Sequence, residues 1–588
     1  MFGRSFKFGR RFDVLAALGS LLWAASALAQ DAAAPSEPAV PAFAPADAEV
    51  GLSYPMPDEP TVALLDFDLD GYVDVITGSR MWRNNGRDRF EQPVVVRGTF
   101  LSFGDYDNDG DLDIFSTAYR RDDNEVKAEH FLLRNDGGGK YVDVLKKSGL
   151  TGPEDTKQFS RPDAVKYELI VKILDVSRAH GFLDYDNDGK LDLFVAGFEI
   201  AYSRETRRAL PSRLFKGDGA GHFEDVTEAA GLDGTARPAT AVAFCDFDND
   251  GFVDICVANG RSQPNWLWRN QGDGTFKDVA EEVGATGGKA NSRAVAVADF
   301  DNDGDFDIFV VNYARDNPKK PQPQSVLLRN DLIPDGSLHF TDVTAEVGLA
   351  WKPPEGFKAE ATWASATWSD LNNDGWLDLF VTESCEGGKN HPNAPLKYGR
   401  FDSGYSKLWL SRGGQSFVRV DTERNKLRIE DSAGASAADY DNDGRSDLLV
   451  GSNPGKKSDR IRWFDPTKQR TTLLRNRGPA SKSTSAEDAG YLNVVLSARD
   501  RALNGAVIEV TLDNEERLHA AVDTSAGGLV TGSNQLHFGL GSHAAIRIGI
   551  TLPGGQSAGF EGPWHNAALL LDLSKKSPKE PRTIASWR

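Results

Sequence analysis

Cysteine and methionine are nearly missing from this chain, with three of each in 588 residues. Three cysteines build no disulfide framework, and no cluster of Cys and His has the spacing of a zinc site. Positive charge is also in deficit: 67 Lys and Arg stand against 87 Asp and Glu, a formal net charge of −20. Such a surface repels a phosphate backbone and excludes nucleic acid as a partner. Long apolar runs are absent beyond the N-terminus. The one greasy stretch, Val14 to Ala29, follows Arg4, Lys7, Arg10 and Arg11 and ends in Ala27-Leu28-Ala29. It is shorter than the ~20 residues of a spanning helix and reads as a secretory signal peptide over 1–29, leaving no membrane span after cleavage. Residues 30–42, rich in Ala and Pro, read as an extended linker.

What the chain has instead is Gly, 58 residues of it, and regularly placed Asp. Its length exceeds one ordinary core, which calls for several domains or a repeat. A repeat is present. The pattern Asp-x-Asp-x-Asp-Gly-x-x-Asp opens at Asp66, Asp68, Asp70 and Asp74, with Gly71 between the last two. It returns as Asp105, Asp107, Asp109 and Asp113; as Asp184, Asp186, Asp188 and Asp192; and as Asp246, Asp248, Asp250 and Asp254. Three more copies follow: Asp299, Asp301, Asp303 and Asp307; Asp370, Asn372, Asp374 and Asp378; Asp439, Asp441, Asp443 and Asp447.

Between these motifs lies a second marker, an aromatic residue followed eight positions later by Gly. It runs from Phe223 to Gly231, Phe276 to Gly284, Phe340 to Gly348 and Tyr141 to Gly149, more weakly from Phe90 to Gly98 and from Phe417 to Asn425. The seventh copy, Phe43 to Gly51, precedes the first Asp motif, and its Ala48-Glu49-Val50-Gly51-Leu52 repeats Ala345-Glu346-Val347-Gly348-Leu349 letter for letter. After the last Asp motif the chain reaches Leu473-Leu474-Arg475-Asn476 with no such segment. The rest of each unit reads as short strands; in the fifth these are Ala294 to Ala298, Ile308 to Tyr313, Val326 to Arg329 and His339 to Val343. Four antiparallel strands repeated seven times predict an all-β fold, a seven-bladed β-propeller over 43–479. Its last blade would be closed by the N-terminal strand near Phe43, which leaves no open edge.

Oxygen ligands on alternate residues, then a Gly that permits a sharp turn, wrap a loop around one hard cation. Calcium suits such flexible oxygen donors better than magnesium, so up to seven calcium ions are expected, one per loop. The ninth residue would close the ligand set. The seventh would supply only its backbone carbonyl, and its side chain indeed varies: Tyr72, Asp111, Lys190, Phe252, Asp305, Trp376, Arg445. Asn372 keeps an oxygen but loses a charge, so the sixth loop should be weakest. Removing the signal makes the net charge about −23, and seven divalent ions would bring it to about −9.

These motifs resemble FG-GAP repeats, also called VCBS repeats, of integrin α-subunit propellers and bacterial secreted proteins. Beyond them, Asn493 to Leu496, Asn504 to Val507 and Gln535-Leu536-His537-Phe538-Gly539-Leu540-Gly541 resemble the ASPIC/UnbV domain of the cartilage acidic protein family. Leu552-Pro553-Gly554-Gly555 is similar to that domain's Trp-Pro-Ser-Gly, departing at Leu and Gly. A small β-sandwich-like domain is therefore expected at 486–575, with a basic tail at 576–588. The resemblance implies a secreted, calcium-binding adhesion or interaction scaffold and brings no catalytic residues.

Other candidates are fewer. Cys245 and Cys256 flank the fourth loop and sit where an apolar core or a cross-strand pair would; apolar packing fits the Ile, Phe and Leu found at the position of Cys256 in other units. Cys385, with Glu386 and His391, lies in an irregular insertion and is a candidate nucleophile or soft-metal ligand, although no matching general base is identifiable. Trp363, Trp368, Trp376 and Trp409 serve either inter-blade packing or a sugar- or partner-stacking surface. Insertions at 151–180 and 383–407 are the places for a partner site, an extracellular or cell-surface protein or polysaccharide. The expected protein is a monomer, secreted, periplasmic or on the cell surface. The competing class is a secreted polysaccharide-acting enzyme working from the propeller funnel or the insertions.

Overall fold

In the computed structural model the described residues are 37–52, 61–87, 89–122, 125–150, 155–160, 166–171, 178–201, 207–232, 236–313, 324–350, 363–384, 406–422, 427, 429, 432–452, 471–479, 489–497, 503–522, 526–527, 533–573 and 581–584. The signal peptide and the Cys385, Glu386 and His391 insertion lie outside them.

The fifth unit shows how the repeat folds. Ser292–Ala298, Asp307–Asn312, Val326–Asn330 and Phe340–Asp342 pair antiparallel in chain order, with Ala298 opposite Asp307, Ile308 opposite Leu328 and Leu328 opposite Asp342. The apolar run Ile308 to Val311 is buried on both faces because a neighbouring sheet packs on each side. Seven such sheets occur among the described residues, the third extended to five strands by Ala526–Gly527, which pairs antiparallel with Ala179–Leu183. Adjacent sheets share apolar clusters throughout. Leu65 meets Leu101 between the first and second, Phe115 meets Phe182 between the second and third, and Phe194 meets Phe244 between the third and fourth. Cys256 meets Phe340, Phe309 meets Trp363, Leu408 meets Leu474, and Leu449 meets Leu64, which returns the series to its start.

That last joint depends on the N-terminus. Pro41–Pro45 is the outer strand of the seventh sheet, antiparallel to Thr472–Pro479 with Phe43 opposite Asn476. Ala46 N–H donates to Leu473 O at 2.9 Å, and the Leu473 amide donates back to Asp47 Oδ1 at 2.6 Å. Phe90 N–H then donates to Val50 O at 2.9 Å, the same bond that Phe276 makes to Ala230 O and Phe340 to Val283 O between later sheets. The misplaced marker at 43–51 is thus the outer strand and connector of the last sheet, as expected.

The C-terminal part is a sandwich. Gly490–Ser497 lies between Gln535–Gly541, antiparallel, and Ala567–Asp572, parallel, while Val507–Leu512 lies between Arg517–Ala521 and Ala545–Thr551. Both sheets feed one core that includes Val494, Ile508, Ile548 and Leu569. Arg582–Thr583, in the stretch read as a basic tail, pairs with Leu569 and Leu570, and Ile584 is buried beside Val495 and Ala568. Apolar Ile584 inside a basic segment is what carries the sheet past residue 575. Residues Ala39–Arg588 form one compact unit. The first insertion contains a hairpin, Asp155–Ser160 with Lys166–Val171.

Two core features answer questions left by the sequence. Cys245 and Cys256 are buried and stand opposite Asp254 and Ala243 in the strand pairing rather than opposite each other, and burial pushes the Cys256 thiol up to about 12. Trp363 and Trp409 of the sixth sheet are buried edge to face at 5.4 Å, and Trp363 lies 6.3 Å from Phe309 of the fifth, so they belong to the packing between sheets.

Phe43 is 3% exposed. Replacing it with Ala should cost about 3 kcal/mol or more, read as a lower urea midpoint, because the closing strand loses its anchor; an unchanged midpoint would mean the ring holds without it. His180 is fully buried against Phe115, and burial, then neighbouring His130, lower its pKa to about 3. A group whose folded pKa is depressed leaves the unfolded chain binding more protons, so stability falls as pH drops from about 6.5 toward 3. At pH 5 the loss is about 2 kcal/mol, and a His180→Gln variant should show a flatter pH dependence of its urea midpoint.

Candidate metal centres

Each Asp loop joins the innermost strand of a sheet to the next, and its shape follows from which backbone amides the carboxylates hold. In the seventh loop the leading Asp439 accepts from Asp443 N–H at 3.0 Å on one oxygen and from Gly444 N–H at 2.6 Å on the other. The same two bonds recur in the other six loops, for example at Asp66 with Asp70 and Gly71 and at Asp299 with Asp303 and Gly304. To bring those amides round, the fourth residue must be left-handed, with φ between 53° and 60° in all seven loops, and the sixth is Gly with φ from 82° to 101°. Asn tolerates that conformation better than other residues with a side chain, and Gly adopts it without strain.

The fourth position was not read from the sequence as functional, yet it links the loops. Asn187 Nδ2 donates to Gly251 O, Asn249 to Gly304 O, Asn302 to Gly375 O and Asn373 to Gly444 O, at 2.7 to 3.3 Å. A second Asn, ending the third strand, reaches across sheets too: Asn270 to Tyr185 O and Asn330 to Phe247 O, at 2.8 and 2.9 Å. Both were visible as repeated letters, Asn at position four in every loop but the first and Arg-Asn after an apolar pair in most third strands. Without pairing information nothing marked them as connectors.

The ninth carboxylate, expected to close the ligand set, spends both oxygens on backbone. Asp254 accepts from Phe247 N–H and Asn270 N–H, and Asp447 from Tyr440 and Asn476, at 2.7 to 3.3 Å. These aspartates are buried staples between the loop and the third strand. In the second and third loops Asp113 and Asp192 also bring an oxygen within 4.8 Å of those of Asp105 and Asp107, and of Asp184 and Asp186. In the first, fourth and fifth loops the converging oxygens belong to the first, third and fifth positions.

Whether these residues fit a cation is tested by their unsatisfied atoms. Oδ1 of the third-position aspartate is buried without a hydrogen-bond partner in five loops, at Asp68, Asp107, Asp186, Asp248 and Asp301. Buried Asp305 in the fifth loop likewise leaves Oδ1 unmatched, although its Oδ2 accepts from Ile333 N–H at 2.8 Å. A buried acceptor without a partner is costly, and repetition of one atom at one loop position indicates a common occupant. Charge agrees: burial and neighbouring carboxylates push Asp301 and Asp305 up to about 7, while burial raises Asp105 to about 7 against its own amide bonds. A divalent ion coordinated by oxygens removes that penalty, so the donor set fits a hard cation.

A basic side chain at the end of the third strand partly offsets the charge. Arg83 pairs with Asp68 and Asp70, Lys216 with Asp186 and Asp188, Arg269 with Asp248 and Asp250, and Arg475 with Asp441 and Asp443. The sixth sheet has buried Leu410 at this place. Its loop thus loses a carboxylate at Asn372, whose Nδ2 donates to Asp374 Oδ2 at 3.0 Å, together with the cation that would compete with a metal. The two changes compensate.

The central cavity, about 220 Å³, is lined by small side chains of the innermost strands such as Ala243, Ala296 and Ser436, and by His519, Gln535 and His537 of the sandwich. Ser102 Oγ lies 2.6 Å from His180 Nδ1, but both residues are fully buried and Ser102 also donates to His180 O, so the pair is a structural bond between sheets. Among the described residues no helix is long and apolar enough to cross a membrane.

A ring of sheets built on Asp-loop repeats defines the class: the chain carries FG-GAP-like repeats, matched by that family's model at residues 184–257 and 246–310. It is similar to cartilage acidic protein 1, at 29% identity with the Mus musculus protein and 28% with that of Homo sapiens, each over 34% of this chain. The match spans 28% of the length of those relatives. Among solved structures, a lectin of Agrocybe aegerita that recognises non-reducing terminal N-acetylglucosamine aligns with 74% of this chain and 86% of its own, at 15% identity and a TM-score of 0.34.

Replacing Asn372 with Asp restores the carboxylate without a basic partner. The variant should melt lower than the parent in chelator, through added repulsion, and gain more from a divalent cation; equal melting curves in both conditions would show that the sixth loop does not sense this charge.

Proposed function

We propose that the protein is an extracellular calcium-binding scaffold, in which calcium at the Asp loops staples the sheets and the long insertions on the rigid ring engage an extracellular protein or polysaccharide. The observation that carries this reading is the unpartnered third-position oxygen repeated from loop to loop. Further support comes from the signal-like N-terminus, from the FG-GAP-like repeats and from the similarity to cartilage acidic protein 1. The C-terminal sandwich is read as an ASPIC/UnbV-like domain on the residues that resemble it.

The enzyme alternative finds little support among the described residues. The cavity lining carries no carboxylate, and its two histidines are engaged in structural contacts, His519 with Asp299 and His537 with Asn493 and Asn373. Binding chemistry is therefore favoured over acid–base catalysis.

At affinities of about 10⁻⁴ to 10⁻³ M, each site in millimolar calcium stabilises the fold by roughly 0.4 to 1.4 kcal/mol through linkage. A thermal melt of the protein without residues 1–29, in calcium and in chelator, should show a large calcium-dependent rise, with bound-metal analysis giving close to seven ions. No rise and no bound metal would sink the calcium reading and leave the loops as hydrogen-bonded turns.

A further inference from the structure

The sandwich lands on the Asp loops. Asp66 N–H donates to Asn534 Oδ1 at 3.0 Å while Asn534 Nδ2 donates to Asp66 O at 3.1 Å. Gln535 grips the seventh loop in the same two-handed way: Asp439 N–H donates to its Oε1 at 2.8 Å, and its Nε2 donates to Asp439 O at 3.2 Å. Asn493 goes further and donates from Nδ2 to the Asp439 carboxylate itself, at 2.7 Å. In the fifth loop His519 Nδ1 stands 3.0 Å from Asp299 Oδ2. Asn493, Asn534 and Gln535 are each 3% exposed or less, so these amides have no competing water. Every one of these contacts falls on the leading aspartate of its loop, the residue that also holds the amides of positions five and six.

We propose that the sandwich is the outer shell of the cation sites in loops one, five and seven. Asn534, His519, Asn493 and Gln535 act as positioning residues that orient the leading aspartates toward the ion. This inference rests on the calcium reading above. The physical basis is that a ligand fixed by a second layer of hydrogen bonds is already oriented when the metal arrives, and loss of such a partner typically weakens metal affinity 10- to 100-fold. Coupling is reciprocal: an ion that immobilises Asp439 also immobilises the groups that Asn493 and Gln535 hold, so calcium binding at these loops and seating of the sandwich form one linked equilibrium. Loop two supplies the internal reference. Among the described residues the sandwich makes no hydrogen bond to Asp105–Asp113, whose Asn108 reaches instead to Gly219 O at 3.5 Å.

The test is hydrogen–deuterium exchange on the protein lacking only residues 1–29, followed peptide by peptide against free calcium. Loops one, five and seven should become protected at lower free calcium than loop two. In an Asn493→Leu variant the loop-seven midpoint should rise by about 10-fold or more, with loop two unmoved. An unchanged loop-seven midpoint, or an equal shift of all loops, would overturn the proposal. Should that variant not fold, the parent protein decides. On chelation, the Gly541 and Gly554 amides, which donate from the sandwich to Asn373 O and Gly251 O, should exchange faster while the interior strand Val507–Leu512 stays protected. Equal exchange of Gly541 and Gly554 with and without calcium refutes the linkage. No calcium-dependent protection at any loop would overturn the calcium reading itself, a different failure from calcium-protected loops that ignore Asn493.

Discussion

Burial of carboxylates beside one another is the constraint on which this molecule is built. Each loop places its ninth aspartate in the interior, and all but the fourth, whose Asp246 is half-buried, place the leading one there too; ionisation is penalised at these sites, and backbone amides held at fixed positions compensate them. Those amides determine the rest. The leading aspartate requires a left-handed fourth residue and a Gly at the sixth place, and the ninth requires the third strand to arrive in one register so that its terminal amide meets Oδ1. The loops are consequently geometric standards that align four strands and, through Asn at position four, join the third through seventh sheets one to the next.

The same constraint explains how charge is distributed around the ring. Where a third-position aspartate is present, a basic residue usually stands opposite it on the third strand. Where Asn372 replaces that aspartate, Leu410 replaces the basic residue. A paired loss keeps local charge constant, whereas either change alone would leave an uncompensated group near the interior. Calcium, on the proposed reading, enters a site whose electrostatic cost is already only partly met by Arg or Lys. That gives the ion a large role in the stability of the ring.

Much of the architecture was legible because it repeats. Identical spacing of Asp and Gly and a displaced aromatic marker were enough to place the strand order and to assign Phe43 to the last sheet, since both report local backbone demands that recur in every unit. Strand limits in the fifth unit differ by a residue or two from those read off the apolar runs, at ends where pairing rather than side-chain pattern decides. Less legible were residues whose partners are distant in the chain. Asn270 bonds Tyr185 O and Asn476 bonds Leu371 O, contacts that no local pattern encodes. Ile584 was hidden in a basic segment and belongs to the sandwich only because Leu569 and Leu570 offer an edge to pair with.

By itself, then, the sequence determined the repeat unit, the conformation of each Asp loop and the closure of the ring, because these depend on φ preferences, spacing and apolar alternation within a few residues. Tertiary structure alone decided which aspartate oxygens remain unsatisfied, that the ninth carboxylate serves first as a staple, and that the sandwich sits on the loops through Asn493, Asn534 and Gln535. The reason is physical: whether a carboxylate is paired, orphaned or covered is settled by groups that arrive from other sheets and from a domain hundreds of residues away, and their arrival leaves no mark on the spacing of the motif.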